Sequence, residues 1–444
     1  MMGRIGARFA RVEPRRRATA FVSGLLSGLT RTNCWTIAER VGHVTPDGMQ
    51  HLLARAVWDT DGVRDDLREY VIEQLGDPDA VLVIDETGDV KKGTTTVGVQ
   101  RQYTGTAGRI ENAQVAVYVV YAAGSGYAFV DRALYLPKSW TDDPKRCAAA
   151  GIPDDVQFAT KPTLAGQMIA RVLAAGAPAK WVAGDEVYGA DPKLRKELRR
   201  NQIGYVLAVA KNHQVLTKDG SRRADDLAAR LPKRSWQRLS AGHGAKGERW
   251  YDWALISTSD PTSDPEPATT AAGDNPAVQA PTPPTATPDG CHWLLIRRNR
   301  ATGELAYYRA FSPTRVRLAV LVRVAGTRWR IEESFQSGKE LAALDEHQVR
   351  RWISWHRWTV LAMLVHAFLS VMTAKQPPPE PDTDLIPLTR NEIRHLYVAM
   401  LIPPALDRMY LLHWSHWRRR HQYRSQTSHY RRRAAETQDH DLRL

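Results

Sequence analysis

Between residues 20 and 76 the apolar positions recur at helical spacing. In "NCWTIAERVG", Trp35, Ile37, Ala38 and Val41 follow one face, and Gly42 can end the helix. Thr45 is the expected cap of a second helix, with Pro46 at its first position. Met49, Leu52, Leu53 and Ala56 line its buried side. Two short helices joined by a tight turn read either as a helix-turn-helix, able to enter a major groove, or as an ordinary helical bundle.

From residue 81 the pattern shifts to short apolar runs. "VLVID" predicts a buried strand ending at Asp85, and "NAQVAVYVVYAA" and "YAFVDRALYLP" predict two strands joined by "GSG". A helix opened by Pro162 runs through Met168, Ile169 and Leu173. Strand "KWVAGD" ends at Asp185, and helix "PKLRKELRR" and strand "IGYVLAVA" follow. The first strands suit antiparallel hairpins, while the later alternation with helices predicts parallel pairing and covered faces. This order is that of a ribonuclease H-like α/β core. Residues 212–311 then interrupt it with strand-like runs "RWYDWALI", "CHWLLIRR" and "ELAYYRAF". A Pro-, Thr- and Ala-rich tip at 258–290 predicts disorder. Ser312 and Pro313 open the next expected helix, which runs to Val324. Gly326 ends it, and Thr327 caps another helix.

The expected layout is a helical DNA-binding domain at 1–78 and a catalytic core at 79–211 and 312–375. The β-rich insertion occupies 212–311, and a basic helical C-terminus covers 376–444.

Charge adds a partner class. There are 62 Lys and Arg against 48 Asp and Glu, a net +14, which points to a polyanion without separating DNA from RNA or an acidic membrane. The tail "HWRRRHQYRSQTSHYRRR", with Arg418, Arg419 and Arg420, interleaves cations and aromatics. It is read as a phosphate-binding segment against the plainer alternative of a solvated tail. Cys34, Cys147 and Cys291 form no CxxC pattern, so neither a disulfide framework nor a zinc site is expected. The N-terminus has no apolar signal core, and "TVLAMLVHAFLSVMTA" is shorter than the ~20 residues of a spanning helix. It predicts a buried helix, with His366 a core histidine. A cytoplasmic protein associated with the nucleoid, with no membrane partner, is expected.

The chemistry gathers on acids. Asp85 and Asp185 each end an expected strand, at the edge of an α/β sheet where ligands collect. Two bare carboxylates side by side repel, and a divalent cation with hard oxygen ligands relieves this. A two-metal site for phosphoryl chemistry needs a third acid. In "RWRIEESFQSGKE", Arg328, Glu332 and Lys339 share a helix face, with Ile331 and Phe335 as an adjacent apolar stripe. Glu333 lies about 100° further round, either paired with Arg330 or solvated.

The Arg328, Glu332 and Lys339 spacing resembles the Tyr-Arg-Glu-Lys signature of DDE transposases from bacterial insertion sequences. The signature tyrosine falls at Ala325, where this sequence departs from the pattern. "VIDETGDVKKG" and "VAGDEVYG" look like that family's two aspartate motifs, and the likeness covers about residues 20–372. It implies a DNA transposase with Mg²⁺, Mn²⁺ being able to substitute, at Asp85, Asp185 and Glu332. Such a protein binds double-stranded element ends and target DNA, cleaves, and joins 3′-hydroxyls by transesterification, as a homodimer on DNA. Two alternatives stand beside it: a non-catalytic DNA-binding descendant, and a metal-dependent nuclease of the same fold.

Around this site Arg328, Lys339, Lys91, Lys92 and Lys211 are candidate phosphate contacts, although a solvated lysine reads equally well at the last three. Glu86, Asp89 and Glu186 are expected to support the site or face solvent. Trp236, Trp250, Trp253 and Trp293 are read chiefly as a small β core, with base stacking as the alternative. Trp250 and Trp253 have opposite parity and cannot share a face.

Overall fold

The computed structural model describes residues 1–244, 247–259, 290–377, 385–402 and 408–441. Most of the expected tip, residues 260–289, lies outside the described residues, as do parts of the C-terminal region.

The chain opens with helix α1 (Val12–Leu26) and then α2 (Cys34–Arg40). The Asn33 carboxamide caps α2 by accepting from the Trp35 and Thr36 amides, and Thr36 returns the bond in a capping box. Gly42 then turns the chain at φ +84°. Helix α3 (Asp47–Ala54) buries Met49, Leu52 and Leu53 as expected, but Pro46 rather than Thr45 stands at its N-cap. The Thr45 hydroxyl instead meets the Asp47 carboxylate at 3.0 Å.

After α4 (Thr60–Leu75) come strands β1 (Ala80–Val90), β2 (Gln100–Thr104), β3 (Arg109–Ala122) and β4 (Tyr127–Leu134). Short helices α5 (Lys138–Thr141) and α6 (Pro144–Ala150) lead to α7 (Lys161–Ala174), capped by Thr160. Then follow β5 (Ala179–Gly184), α8 (Glu186–Gly189), α9 (Pro192–Arg200) and β6 (Gly204–Val209). Strand β1 does not stop at Asp85. Its first six residues are buried, and it continues five residues further, paired only with the long β3. Strand β2, alternating exposed and half-buried polar residues, carries no apolar run and was not legible as a strand.

A small hairpin, β7 (Gln214–Thr217) and β8 (Gly220–Arg223), precedes α10 (Ala224–Ala229). Strands β9 (Gln237–Gly244), β10 (Gly247–Thr258), β11 (Cys291–Arg298) and β12 (Leu305–Ser312) complete the β structure. Residues 305–312 are strand, so Pro313 opens no helix. The expected helix starts at Leu318 as α11 (Leu318–Thr327). Thr327 caps nothing: its hydroxyl bonds back to the Arg323 carbonyl at 2.8 Å. The remaining helices are α12 (Trp329–Ala342), α13 (Trp352–Ala374), α14 (Arg390–Leu401) and α15 (Arg408–Asp441).

The chain divides into two compact units, Arg64–Ser337 and Met1–Val63 with Gly338–Leu444. The first is a mixed α/β unit around a ten-stranded sheet of order β2-β3-β1-β5-β6-β12-β11-β10-β9, with β4 also paired to β3. Strands β1, β5 and β6 are parallel neighbours, flanked by antiparallel β3 and β12. Strands β7 and β8 form a separate hairpin, while β9 to β12 extend the main sheet through β12. Beneath them Val209, Val215, Leu294, Ile296 and Tyr307 form a local core on which Trp236 packs. Trp253 and Trp293 are buried, whereas Trp250 is 46% exposed with Arg238 over its ring, so the opposite parity is realised. Asp131, fully buried on β4, accepts from Arg171 of α7 at 3.1 Å and ties helix to sheet.

The second unit is helical. Helix α13 is its core and packs on α1, α3 and α14, with Phe21 edge-on to Trp358. It begins seven residues before the expected apolar window and is long and apolar enough to cross a membrane, yet 78% of its most apolar stretch is buried within the protein. His366 is fully enclosed there. Helix α15 docks on the turn after α2: Tyr410 donates to the Glu39 and His43 carbonyls, and Trp414 also donates to His43.

Candidate active site

The parallel pairing of β1 and β5 ends with Ile84 opposite Gly184, and Asp85 and Asp185 are the next residue on each strand. The two acids thus stand side by side where the parallel pairing stops, Asp185 just past the end of β5 and Asp85 inside β1, which runs on to Val90. The Asp85 Oδ1 accepts its neighbour's amide, from Glu86, at 2.8 Å. Asp185 caps the short helix α8 and accepts from the Val187 amide at 2.9 Å. Asp85 is 8% exposed and Asp185 half-buried.

Helix α12 brings the third acid. Phe335 packs against both Tyr118 of β3 and Phe129 of β4, with ring centroids 5.6 and 5.8 Å away, and Ile331 is fully buried. The apolar stripe docks the helix on the sheet as expected, and this sets the azimuth of its polar residues. Arg328 then reaches Asp85, Nη1 to Oδ2 at 3.0 Å, while its Nη2 lies 3.8 Å from Glu332. One guanidinium therefore bridges the first and third acids. Glu333 points elsewhere and receives Arg330 at 2.7 Å, which answers the open alternative for that residue.

Burial dominates the electrostatics. It pushes the Asp85 carboxyl up to about 8, with the Asp185 charge adding to it and the Arg328 cation only partly offsetting it. Asp185 is raised as well, first by burial and then by Glu86, against the helix-start amides and Arg328. Glu86 is more closely built into this group than a surface acid. Its two oxygens accept from Lys161 and from the Tyr188 hydroxyl, each at 2.6 Å. Burial, and then the Glu86 charge, holds the Tyr188 phenol well above its usual range. Lys161 and Tyr188 went unnoticed in the sequence. The signals were present: Tyr188 is three residues after Asp185, and Lys161 directly precedes the helix-opening Pro162.

The remaining candidates are placed variously. Lys339 is in the last turn of α12. Lys91 lies 3.8 Å from Asp89, and Lys92 and Lys211 are exposed. Arg418 is committed to Glu39 at 2.6 Å, whereas Arg419 and Arg420 are exposed on α15. Among the described residues, no group of three His, Cys, Asp or Glu side chains is spaced to hold a metal ion.

Comparison with known proteins gives this geometry a family. Residues 6–254 match the model described as "DDE superfamily endonuclease", and residues 155–368 match "Transposase DDE domain". A curated relative, the probable transposase for insertion sequence element IS701 of Microchaete diplosiphon, is 32% identical over 194 residues. That match covers 43% of this chain and 48% of the relative, so the chain spans about half the relative's length. Among solved structures, a piggyBac transposase synaptic complex with hairpin DNA aligns over 91% of this chain and 76% of its own, at 10% identity and a TM-score of 0.44. With a superfamily model matched across more than half of its length, the chain belongs to the DDE superfamily of endonucleases.

Proposed function

We propose that the protein is a transposase that binds the double-stranded ends of an insertion sequence, cleaves them and joins the 3′-hydroxyls to target DNA. The observation that carries this reading is the pair Asp85 and Asp185 side by side where the parallel pairing of β1 and β5 stops, with Arg328 linking Asp85 to Glu332. The core would be ribonuclease H-like, and Arg328, Glu332 and Lys339 would be its Tyr-Arg-Glu-Lys-type signature without the tyrosine. Helices α2 and α3 would form the DNA-binding helix-turn-helix of domain 1–78. Residues 79–211 and 312–375 would be the catalytic core, 212–311 its insertion and 376–444 the basic C-terminal region. A homodimer on DNA, working at the nucleoid in the cytoplasm, completes the proposal.

Asp85 and Asp185 fit a divalent cation by their chemistry: burial raises both carboxyls, the Asp185 charge adds to it at Asp85 and the Glu86 charge at Asp185, so a cation would relieve the site. With Glu332 they would hold Mg²⁺ or Mn²⁺, which when bound supplies Lewis acidity toward a phosphodiester oxygen. The chain's own side chains do the remaining work. Arg328 holds Asp85 and Glu332 in line and offers a planar fork to a phosphate. The Lys161, Glu86 and Tyr188 cluster fixes the strand on which Asp85 sits. Lys339, Lys91, Lys92, Lys211, Arg419 and Arg420 would contact the DNA backbone. Arg418 would orient α15 through Glu39.

Incubating the protein with end DNA, target DNA and Mg²⁺ tests the reading directly. Cleavage followed by joined product is expected. Nicking without joining would favour a nuclease, and binding without nicking a non-catalytic descendant.

A further inference from the structure

The helical unit contains a cavity of about 600 Å³ between the start of α2, the end of α3 and the segment leading into α13. This is the size range of a small-molecule site. Its chemistry is one-sided. Arg31, Arg350 and Arg351 line it, no carboxylate does so among the described residues, and none of the three guanidinium groups has an ion-pair or hydrogen-bond partner there. All three are exposed, as are Arg419 and Arg420 of α15, but these three gather around one concavity. Three uncompensated arginines around one concavity concentrate positive potential, as low-dielectric walls focus the field.

A second observation points to a ligand. Ser354 is only 5% exposed, lines the cavity, and its hydroxyl has no hydrogen-bond partner among the described residues. Its oxygen is not enclosed, so the hydroxyl keeps its donor and acceptor capacity open to a ligand. Ser354 is the third residue of the 23-residue helix α13, whose N-cap, Arg351, gives no side-chain bond to the first turn. The same wall thus presents a hydroxyl, uncapped amides and the positive end of a helix dipole, a set suited to a phosphate.

The opposite wall suits a flat group. Trp35 is half-buried, and its ring is braced from behind by Trp417 and His421 of α15, with centroids 4.8 and 4.5 Å away. A ring held in place loses little freedom on stacking, and a base on an aromatic face gains about 1–3 kcal/mol. Gln50 also lines the cavity and offers an amide donor and acceptor to a base edge.

We propose that this cavity binds one nucleotide, its phosphate among Arg31, Arg350, Arg351 and Ser354, and its base against Trp35. A base pair within a duplex cannot enter such a concavity, so a nucleotide from DNA must be single-stranded or out of the stack. A free nucleotide shares the chemistry. The inference rests on the proposed function only in expecting DNA as the source.

The test uses the full chain and an oligodeoxynucleotide carrying 5-iododeoxyuridine, with irradiation and peptide mapping of the crosslink. Expected is a crosslink on the peptide containing Trp35. It should fall at least tenfold in the double variant Arg350→Ala/Arg351→Ala, whose sites are on the surface and leave the fold intact. Anisotropy titrations of the same oligonucleotide should show its salt slope reduced by up to about 0.7 in that variant, the share of one phosphate contact on a single strand. In a parallel arm 5-iododeoxyuridine monophosphate replaces the oligonucleotide. A crosslink at Trp35 from the monophosphate alone would keep the site and make a free nucleotide its source. Crosslinks mapping only elsewhere, or a Trp35 crosslink untouched by the double variant, would overturn the proposal. Failure here is separable from failure of the function. Asp85→Asn should abolish end cleavage and keep the crosslink, whereas cleavage without the crosslink would sink this inference alone.

Discussion

At the scale of single residues, the two adjacent acids of α12 have different environments, and this predicts different phenotypes. Glu332 lies 3.8 Å from Arg328, the residue that also reaches Asp85, while Glu333 is engaged by Arg330. Glu332→Gln should lower end cleavage by roughly a thousandfold, the scale of removing several kcal/mol of charge stabilisation. Glu333→Gln should leave the rate within about threefold, because an exposed helix pair contributes little. A gel assay on labelled end DNA distinguishes the two, and the reverse pattern would move the catalytic assignment to Glu333. Asp85 makes a further prediction in the absence of metal. Unfolded, it titrates near 3.8; folded, it keeps its proton to about 8. The native state therefore binds more protons between these values, so this stabilisation is complete below about pH 4 and is lost as pH rises through 8. In chelator, the melting temperature should fall from pH 5 to pH 8.5. Asp85→Asn should flatten that fall. Adding Mg²⁺ at pH 8 should raise the melting temperature of the wild type and not of the variant.

At the scale of elements, the site depends on how closely helices approach the sheet. Gly189 ends α8, and a Cβ there would lie 1.8 Å from the Ala208 carbonyl oxygen of β6. Gly189→Ala must therefore push α8 outward, taking the Asp185 cap and the Tyr188 to Glu86 bond with it. A stability loss of about 1–3 kcal/mol in urea unfolding is expected for such overpacking, with a larger proportional loss of cleavage. Unchanged unfolding and cleavage would mean that α8 is not held against β6. Between α7 and β4 the buried Asp131 and its partner Arg171 set a second test. Asp131→Ala leaves Arg171 without its buried acid and should cost about 3 kcal/mol, read by the same denaturation curves. Much at this scale was legible in advance: "PKLRKELRR" is helix α9 residue for residue, and the Pro162 helix is α7. What misled was the reading of Pro313 as a helix start, because a strand that borders β6 and β11 runs up to it.

At the scale of the whole molecule, the positive charge has more than one use. Arg418 is an internal tie between α15 and α2, but its two successors are exposed. Arg419→Ala with Arg420→Ala should weaken duplex binding and lower the salt slope by about 1.8, at roughly 0.9 per lost phosphate contact. Arg418→Ala should instead loosen α15, seen as faster amide exchange across residues 408–432. Equal salt slopes in wild type and double variant would remove α15 from the DNA surface. The sequence by itself determined the two aspartates that follow apolar runs, the Arg328 to Glu332 spacing and the apolar stripe of Ile331 and Phe335. Each of these is a local matter of periodicity, and period 2 or 3.6 is written in consecutive residues. Only the tertiary structure decided that Arg328 joins Asp85 to Glu332 and that Glu86 is gripped by Lys161 and Tyr188. It also decided that β9 to β12 prolong the main sheet, and that Arg31, Arg350 and Arg351 meet around one cavity. These residues are far apart along the chain, and no local pattern records which distant segments will meet when the apolar faces are buried together.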